Sequence, residues 1–480
     1  MERLLPIGKI KTKPSKEIPF SRIGIGFEKL DRDVFDPEKA YDKVAALGVK
    51  SARLQSGWAR CEKEKGVYDF AWLDAIVDRF LSLSIEPWIN LSYGNPLYTE
   101  CARKSFGSVG CPPINSEEAM NAWIAYVKAV VRHFEGRVTY YEIWNEPDCD
   151  YSWKHDGEAV PRPDAAEYGV FCRETAKAIH EVSATAKTMG FGLSNLVKNL
   201  DFVAGAFDQG ALEHLDAVAY HSYSVDDFNR LQRIEDLRTL CRFRGKEVDI
   251  VQGETGSQSR SDGCGAMHGF QWTPELQVKH LLRCMTVDLY ADVLFTSHFT
   301  TVDMIEALRG VVGNKASYLD YGYFGVLGAD FDEDGHSTGE YTPKPSYYAL
   351  QNMAAVFQGE WKPSLLPISR QRLGSRRVNG EDCNDPTMMG CGFLRPGGTA
   401  LYAYWNAVPM LTHTYRGTVS YFIDRSLPVP CLVNPADGAV YGIPEEMIEA
   451  RPGGFLLKNL PVTDIPLMLI FGDFAEVEPR

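Results

Sequence analysis

Two glutamates, each at the end of a short apolar run, are the residues of this sequence best placed to do chemistry. Val138-Thr-Tyr-Tyr-Glu-Ile-Trp-Asn145-Glu146-Pro147 begins as a buried strand and ends in an amide, a carboxylate and a proline that stops the strand. Val248-Asp-Ile-Val-Gln-Gly253-Glu254-Thr-Gly256 delivers a second carboxylate among glycines. Cleaving an acetal needs such a pair. One carboxyl group protonates the departing oxygen, and the other meets the positively charged carbon, directly or through a water. To divide that work near neutrality the two must differ in acidity, and their surroundings set the difference. Asn145 stands where an amide would hydrogen-bond a hydroxyl beside the reacting carbon. Each carboxylate also has a structural alternative: a helix cap or strand-end ion pair for Glu146, and a bed of backbone N–H groups in a glycine turn for Glu254.

For the pair to meet, distant strands must end at one place. From residue 20 to about 359 the chain alternates short apolar runs with longer amphipathic segments, the pattern of a parallel sheet with helical crossovers. Strands are expected at 21–26, 49–54, 86–91, 138–144, 188–193, 217–221, 248–252 and 293–298. Helices are expected at 37–47, 71–83, 117–134, 274–290 and 345–357, the last opened by Lys344-Pro345 and stopped by Gly359. Eight such alternations close an α/β fold, the (β/α)8 TIM barrel, whose chemistry sits at the C-terminal ends of the strands. Glu146 then follows the fourth strand and Glu254 the seventh. After Trp361 the texture changes to short alternating runs between Pro, Gly, Asn and Asp turns, which reads as an antiparallel β-sandwich. Residues 4–13 are expected to add a strand to it. The division is therefore 1–18 for the N-terminal strand, 19–360 for the catalytic barrel and 361–480 for the β-sandwich.

Composition narrows the partners. The chain of 480 residues is 45% hydrophobic and 24% charged, the balance of a globular protein, and its net charge of −14 disfavours nucleic acid. A neutral oligosaccharide or small glycoside suits it better, and 12% aromatic content leaves rings for stacking on sugars. No apolar run reaches membrane-spanning length, and the first residues lack a secretory h-region. The 11 cysteines are odd in number and without tandem C-x-x-C pairs, so reduced thiols and a cytoplasmic location are expected. Cys101 and Cys111, flanking a Gly-rich loop, would pair in an exported form. No Walker, dinucleotide or H-E-x-x-H motif occurs, and neither cofactor nor metal is expected. Asp330-Phe-Asp332-Glu-Asp334-Gly335 imitates a calcium loop but carries Tyr341 where the bidentate glutamate belongs, and reads as an acidic turn. Oligomerisation is left open.

The chain resembles the clan A glycoside hydrolases, and among them family 39, the β-xylosidase and α-iduronidase family. Trp144-Asn145-Glu146-Pro147 is similar to the clan's acid/base strand and Gly253-Glu254-Thr255-Gly256 to its nucleophile strand. Gly66-Val67-Tyr68-Asp69-Phe70 with Trp72, Pro87-Trp88-Ile89 and Lys344-Pro345-Ser346-Tyr347-Tyr348-Ala349-Leu350 are also like that family. The resemblance implies a retaining mechanism with Glu146 as acid/base and Glu254 as nucleophile. Residue by residue, it implies that Arg53 steadies the Glu254 carboxylate, that Asn145 contacts the sugar 2-hydroxyl, and that His221 and Tyr223 lie beside sugar and nucleophile. Arg53 as a rim ion pair and His221 as a core histidine are the structural alternatives.

Further sugar contacts are expected from Tyr93 and Asn95 in the loop after the third strand, and from Trp153 as a stacking wall. All three could equally be packing. At the eighth strand the chain offers His298 and Phe299 where the clan usually shows an exposed tryptophan. These expectations describe a retaining, exo-acting glycosidase. An endo-glycanase of the same clan and a non-catalytic carbohydrate-binding barrel are the alternatives, set apart by mid-chain cleavage products and by indifference to loss of Glu254.

Overall fold

In the computed structural model the eight apolar runs form parallel strands, Ile23–Gly26, Ser51–Gln55, Glu86–Leu91, Tyr140–Ile143, Lys187–Leu193, Ala217–His221, Asp249–Thr255 and Thr296–His298, bonded in chain order into a closed barrel. The first closes on the eighth through Ile23 opposite Thr296 and Ile25 opposite His298. The structure describes residues 1–480 except 2, 158–161, 196–198, 372–376, 379–380, 383–386 and 480, with the backbone alone at 377–378 and 381–382.

A helix follows every barrel strand: Tyr41–Ala46, Ala71–Ser82, Glu117–His133, Ala165–Val182, Leu200–Phe207, Asp227–Phe243, Pro274–Tyr290 and Pro345–Val356. Local chemistry accounts for their limits. Ser116 accepts a bond from the Ala119 N–H, glutamates fill the first turn of Glu117–His133, and Arg132 and His133 fill its last. Ala119, Trp123, Tyr126, Val127 and Val130 fall on one face at helical spacing and are buried. The first expected helix, 37–47, is shorter than its periodicity suggests. Asp36 caps a single 3-10 turn at Pro37–Lys39, and the α-helix begins only at Tyr41. The seventh strand is longer than expected and carries Glu254 within it.

Inside the barrel, Trp88, Met189, Ala217, Ala219, Val251 and Phe295 form an apolar plug. The Arg53 guanidinium lies over the Trp88 ring, 5.4 Å from its centre, and begins a polar layer above the plug.

Among the described residues the C-terminal strands form two large antiparallel sheets, with a two-stranded pairing at 377–378 and 381–382 apart from them. One has eight strands, including Ala400–Asn406 and Leu467–Phe471, and the other has Ile368–Gln371, Arg416–Asp424, Gly454–Thr463 and Ile448–Arg451. Tyr404, Tyr421, Leu457 and Leu469 pack between them. The strand Leu5–Ile10 pairs with Ala439–Gly442 and Val477–Pro479 in the larger sheet. Barrel and sandwich are locked by Asp227, which accepts bonds from Arg283 Nε at 2.7 Å and from the Trp405 indole at 2.8 Å.

One expectation is corrected. The thiols are not uniformly reduced, because Cys101 and Cys111 form a disulfide. The acidic turn lies between Leu327–Phe331 and Ser337–Pro343, with the Asp332 carboxylate accepting the Asp334 and His336 N–H groups. Among the described residues no helix is long and apolar enough to cross a membrane.

Asp227, Arg283 and Trp405 are 3%, 1% and 0% exposed, so removing the carboxylate strands a buried guanidinium. Asp227→Ala is expected to lower stability by about 3–5 kcal/mol in urea unfolding. A loss below about 1 kcal/mol would show the junction to be dispensable.

Candidate active site

The fourth barrel strand ends at Ile143, and the backbone then turns through left-handed conformations at Trp144 (φ 69°) and Glu146 (φ 50°). Such conformations cost non-glycine residues about 1–2 kcal/mol each, and packing holds them. The Trp144 ring is buried against Trp123, Trp153 and Phe171, and its indole donates to the Ser152 carbonyl at 2.8 Å. The Glu146 N–H donates to the Gly192 carbonyl. With Trp144 anchored inward, Asn145 and Glu146 are left to line the cavity above.

In the seventh strand the pairing slips by one residue at Gly253, since Tyr220 faces Gln252 while His221 faces Glu254. A bulge of this kind re-aims the next side chain. Gly253 fits closely there: a Cβ would lie 3.2 Å from Glu142 Oε1 and 3.3 Å from His221 Nε2, so either side chain would have to shift to admit one.

His221 bridges the two glutamates, its Nδ1 lying 2.8 Å from Glu146 Oε1 and 3.8 Å from Glu254 Oε2. One oxygen of each glutamate and a His221 nitrogen lie within 4.8 Å of one another. Arg53 approaches from below. Its Nη1 is 2.9 Å from Glu254 Oε2 and 3.3 Å from Glu28 Oε1, its Nη2 is 2.6 Å from Glu142 Oε2 and 2.7 Å from Asn145 Oδ1, its Nε is 3.0 Å from Glu142 Oε2, and Asn90 adds a third bond to Glu142. The Tyr223 hydroxyl donates to Glu254, and the Tyr151 hydroxyl to Glu146.

These neighbours push the glutamates in opposite directions. Burial raises Glu146, and the nearby Glu254 charge adds to that, outweighing the bonds from His221 and Tyr151. Burial also acts on Glu254, but His221, Arg53 and the Tyr223 bond overcome it and hold that carboxyl below its ordinary range. His221 is raised, because the pull of the two glutamates exceeds the effect of burial. Burial pushes Glu28 up to about 7 against the pull of Arg53, and Glu306, 3.3 Å from Lys29, likewise up to about 7.

The cavity over the pair has a volume of about 510 Å³. Tyr93, Asn145, Glu146, Tyr223 and Glu254 line it, with Glu28, Lys29, Gln55, Tyr151 and Phe299. Arg53 and His221 lie beneath, fully buried. Three of the expected contacts are elsewhere. Asn95 is buried, its amide donating to the Glu62 carbonyl and its oxygen accepting from the Leu97 N–H. Trp153 is enclosed by Trp144, Tyr168 and Phe171. His298 is buried, and that burial lowers it to about 3; Phe299, the next residue, is the one that lines the cavity.

Glu28 and Glu142 went unread in the sequence. Glu28 lies just past the first strand, as Glu146 lies just past the fourth, and asking the same question of every strand end would have found it. Glu142 shares a strand alternation with apolar neighbours that hides its inward direction. Glu146, His221 and Glu254 are grouped closely enough to hold a cation, but each already has a protein partner: Tyr151 and His221 for one glutamate, Arg53 and Tyr223 for the other.

Residues 52–253, from the second barrel strand to the residue before Glu254, match the family model described as glycosyl hydrolases family 39. The barrel resembles the family 39 glycosyl hydrolases. A β-xylosidase of Geobacillus stearothermophilus is 29% identical over 125 residues, 25% of this chain, and the match spans 23% of that relative's length. A family 39 enzyme from Xanthomonas axonopodis pv. citri superposes with a TM-score of 0.59 at 14% identity, covering 96% of this chain and 95% of the other. A monomeric β-xylosidase from Caulobacter crescentus gives 0.57 at 14% identity, over 97% and 98% of the two chains. A family 30 endoxylanase from Clostridium papyrosolvens gives 0.57 at 12%, over 97% and 98%. At these identities the likeness to the family 39 and family 30 structures is one of fold.

Because Arg53 is bonded to Glu142, Glu28 and Glu254 together, Arg53→Met is expected to cost about 3–5 kcal/mol in urea unfolding at neutral pH. Stability equal to that of the parent would show that another group carries their charge.

Proposed function

We propose that the protein is a retaining, exo-acting glycoside hydrolase that releases a terminal sugar from a short oligosaccharide or glycoside. The observation that carries this reading is the pair of glutamates, an oxygen of each within 4.8 Å of the other, with acidities shifted in opposite directions over one cavity. A retaining enzyme has its carboxyl groups about 5–5.5 Å apart, whereas inversion needs about 6.5–9.5 Å to admit a water.

Glu146, whose burial favours its protonated form, gives its proton to the departing oxygen. Glu254, held ionised by Arg53, His221 and Tyr223, forms a bond to the anomeric carbon. That bond consumes the Glu254 charge and with it the repulsion that adds to burial in raising Glu146. Glu146 then ionises more readily and takes the proton of the water that hydrolyses the glycosyl ester. One change of charge thus turns the acid into the base. Asn145, fixed by Arg53 beside Glu146, is placed to bond the hydroxyl next to the reacting carbon.

A cavity of about 510 Å³ is within the size of small-molecule sites and supports action on a chain end. The β-xylosidase activity of the Geobacillus and Caulobacter proteins makes β-xylosides the first substrates to try.

Glu254→Ala should lose hydrolysis of p-nitrophenyl glycosides by at least about 10⁴-fold, and azide should restore turnover as an α-glycosyl azide seen by NMR. Retained hydrolysis, or no azide product from any glycoside the parent cleaves, would contradict a nucleophilic Glu254. The profile of kcat/KM should be bell-shaped, falling on the acid side as Glu254 takes a proton and on the basic side as Glu146 loses one. With an activated aryl leaving group, Glu146→Gln should abolish the basic limb and spare the acid one; persistence of the basic limb would reassign it.

A further inference from the structure

Both oxygens of Glu146 are engaged, and only one of the two partners belongs to the framework common to the barrel strands. His221 takes Oε1 from the sixth strand, while Tyr151 takes Oε2 from the loop five residues on. Tyr151 lines the cavity, which a tyrosine in a merely connecting loop need not do.

The loop that carries it is closed on itself and braced from outside. The Cys149 N–H donates to the Glu146 carbonyl and the Ser152 N–H to the Cys149 carbonyl, each at 3.1 Å. The Ser152 hydroxyl donates to the Asn145 carbonyl, and the Ser152 carbonyl accepts the Trp144 indole. Outside, the Lys154 N–H donates to the Gly110 carbonyl at 2.8 Å, next to the disulfide at Cys111. The contact at Gly110 is tight: a Cβ there would lie 1.9 Å from the Tyr151 carbonyl oxygen. The phenol is therefore delivered to Glu146 by a fixed loop.

We propose that Tyr151 is a positioning residue for Glu146, its hydroxyl holding the ionised carboxylate in place for the hydrolytic half of the reaction. This rests on the reading of Glu146 as acid and base. A phenol donates one hydrogen bond, and it donates more strongly to a carboxylate than to a carboxylic acid. The bond thus tightens when Glu146 has given up its proton and must receive one from water. Burial holds the Tyr151 hydroxyl well above its usual acidity range, so its own proton stays put and only Glu146 exchanges one with leaving group and water. His221, Glu254, Tyr223 and Tyr93 face Glu146 from the other strands, and Cys149 stands on its own loop; the Asp148 carboxylate beside it is bonded to Ser194. Of these, His221 and Tyr151 are bonded to the Glu146 carboxylate.

Tyr151→Phe deletes one oxygen and leaves the ring. The Glu146 carboxyl carbon is followed by NMR in protein labelled at glutamate, its signal assigned with Glu146→Gln, across pH in parent and variant. Its titration should move up by about one pH unit in Tyr151→Phe. With dinitrophenyl glycosides, whose departure needs no proton, the burst of phenol release should persist while steady turnover falls by about tenfold. An unmoved Glu146 titration, or a loss shared equally by burst and steady state, would overturn the positioning role. The titration does not depend on turnover. If it shifts while the parent cleaves no glycoside, the proposed activity fails and the contact stands; if glycosides are cleaved and it does not shift, the inference alone fails.

Discussion

The guanidinium of Arg53 is what lets three carboxylates share one buried layer of the barrel. Glu28, Glu142 and Glu254 approach it from the first, fourth and seventh strands, with side chains only 1%, 0% and 12% exposed. Removing charge from water is costly unless it is paired and bonded, so the layer forms only as a whole. Its asymmetry is the useful part. Glu254 has Arg53 and Tyr223, Glu146 has neither, and the two carboxyl groups are shifted in opposite directions although His221 lies beside both. The difference in acidity that acetal cleavage asks for is thus written into which strand end each glutamate occupies.

The barrel supports this by being apolar where the chemistry is not. Trp88 and Phe295 close the floor beneath Arg53, so its charge is directed upward to the carboxylates. The left-handed turn at Trp144 and Glu146 and the bulge at Gly253 are two places where regular strand geometry is abandoned, and each sets one of the two glutamates. Departures of this sort persist only where packing over-determines them. Here the Trp144 indole cluster supplies that packing on one side, and the tight fit of Gly253 against Glu142 and His221 on the other.

Much of this was legible in the sequence, for reasons that differ by element. The barrel strands showed because both faces are buried, which leaves apolar runs such as Ala217-Val-Ala-Tyr between amphipathic helices. Glu146 and Glu254 showed because a carboxylate at the end of such a run has no packing reason to be there. Side-chain direction in loops was not legible. Trp153 reads as a stacking wall by its distance from Glu146, yet the Trp144 turn draws it into the indole cluster, while Tyr151, two residues earlier, reaches the cavity. Of the two residues the sequence offers at the eighth strand, His298 ends the strand and is buried, whereas Phe299 just past it lines the cavity. The odd cysteine count points to reduced thiols, yet Cys101 and Cys111, the pair the sequence offers for an exported form, are bonded.

The most direct test of the account is to trap the intermediate. The protein is incubated with an activated 2-deoxy-2-fluoro glycoside of a sugar it cleaves, and the intact mass and proteolytic peptides are measured. The account predicts a stable gain of one fluorosugar, located on Glu254, together with loss of activity. A sugar attached to any other residue would contradict it, and so would release of product of inverted configuration with no adduct formed.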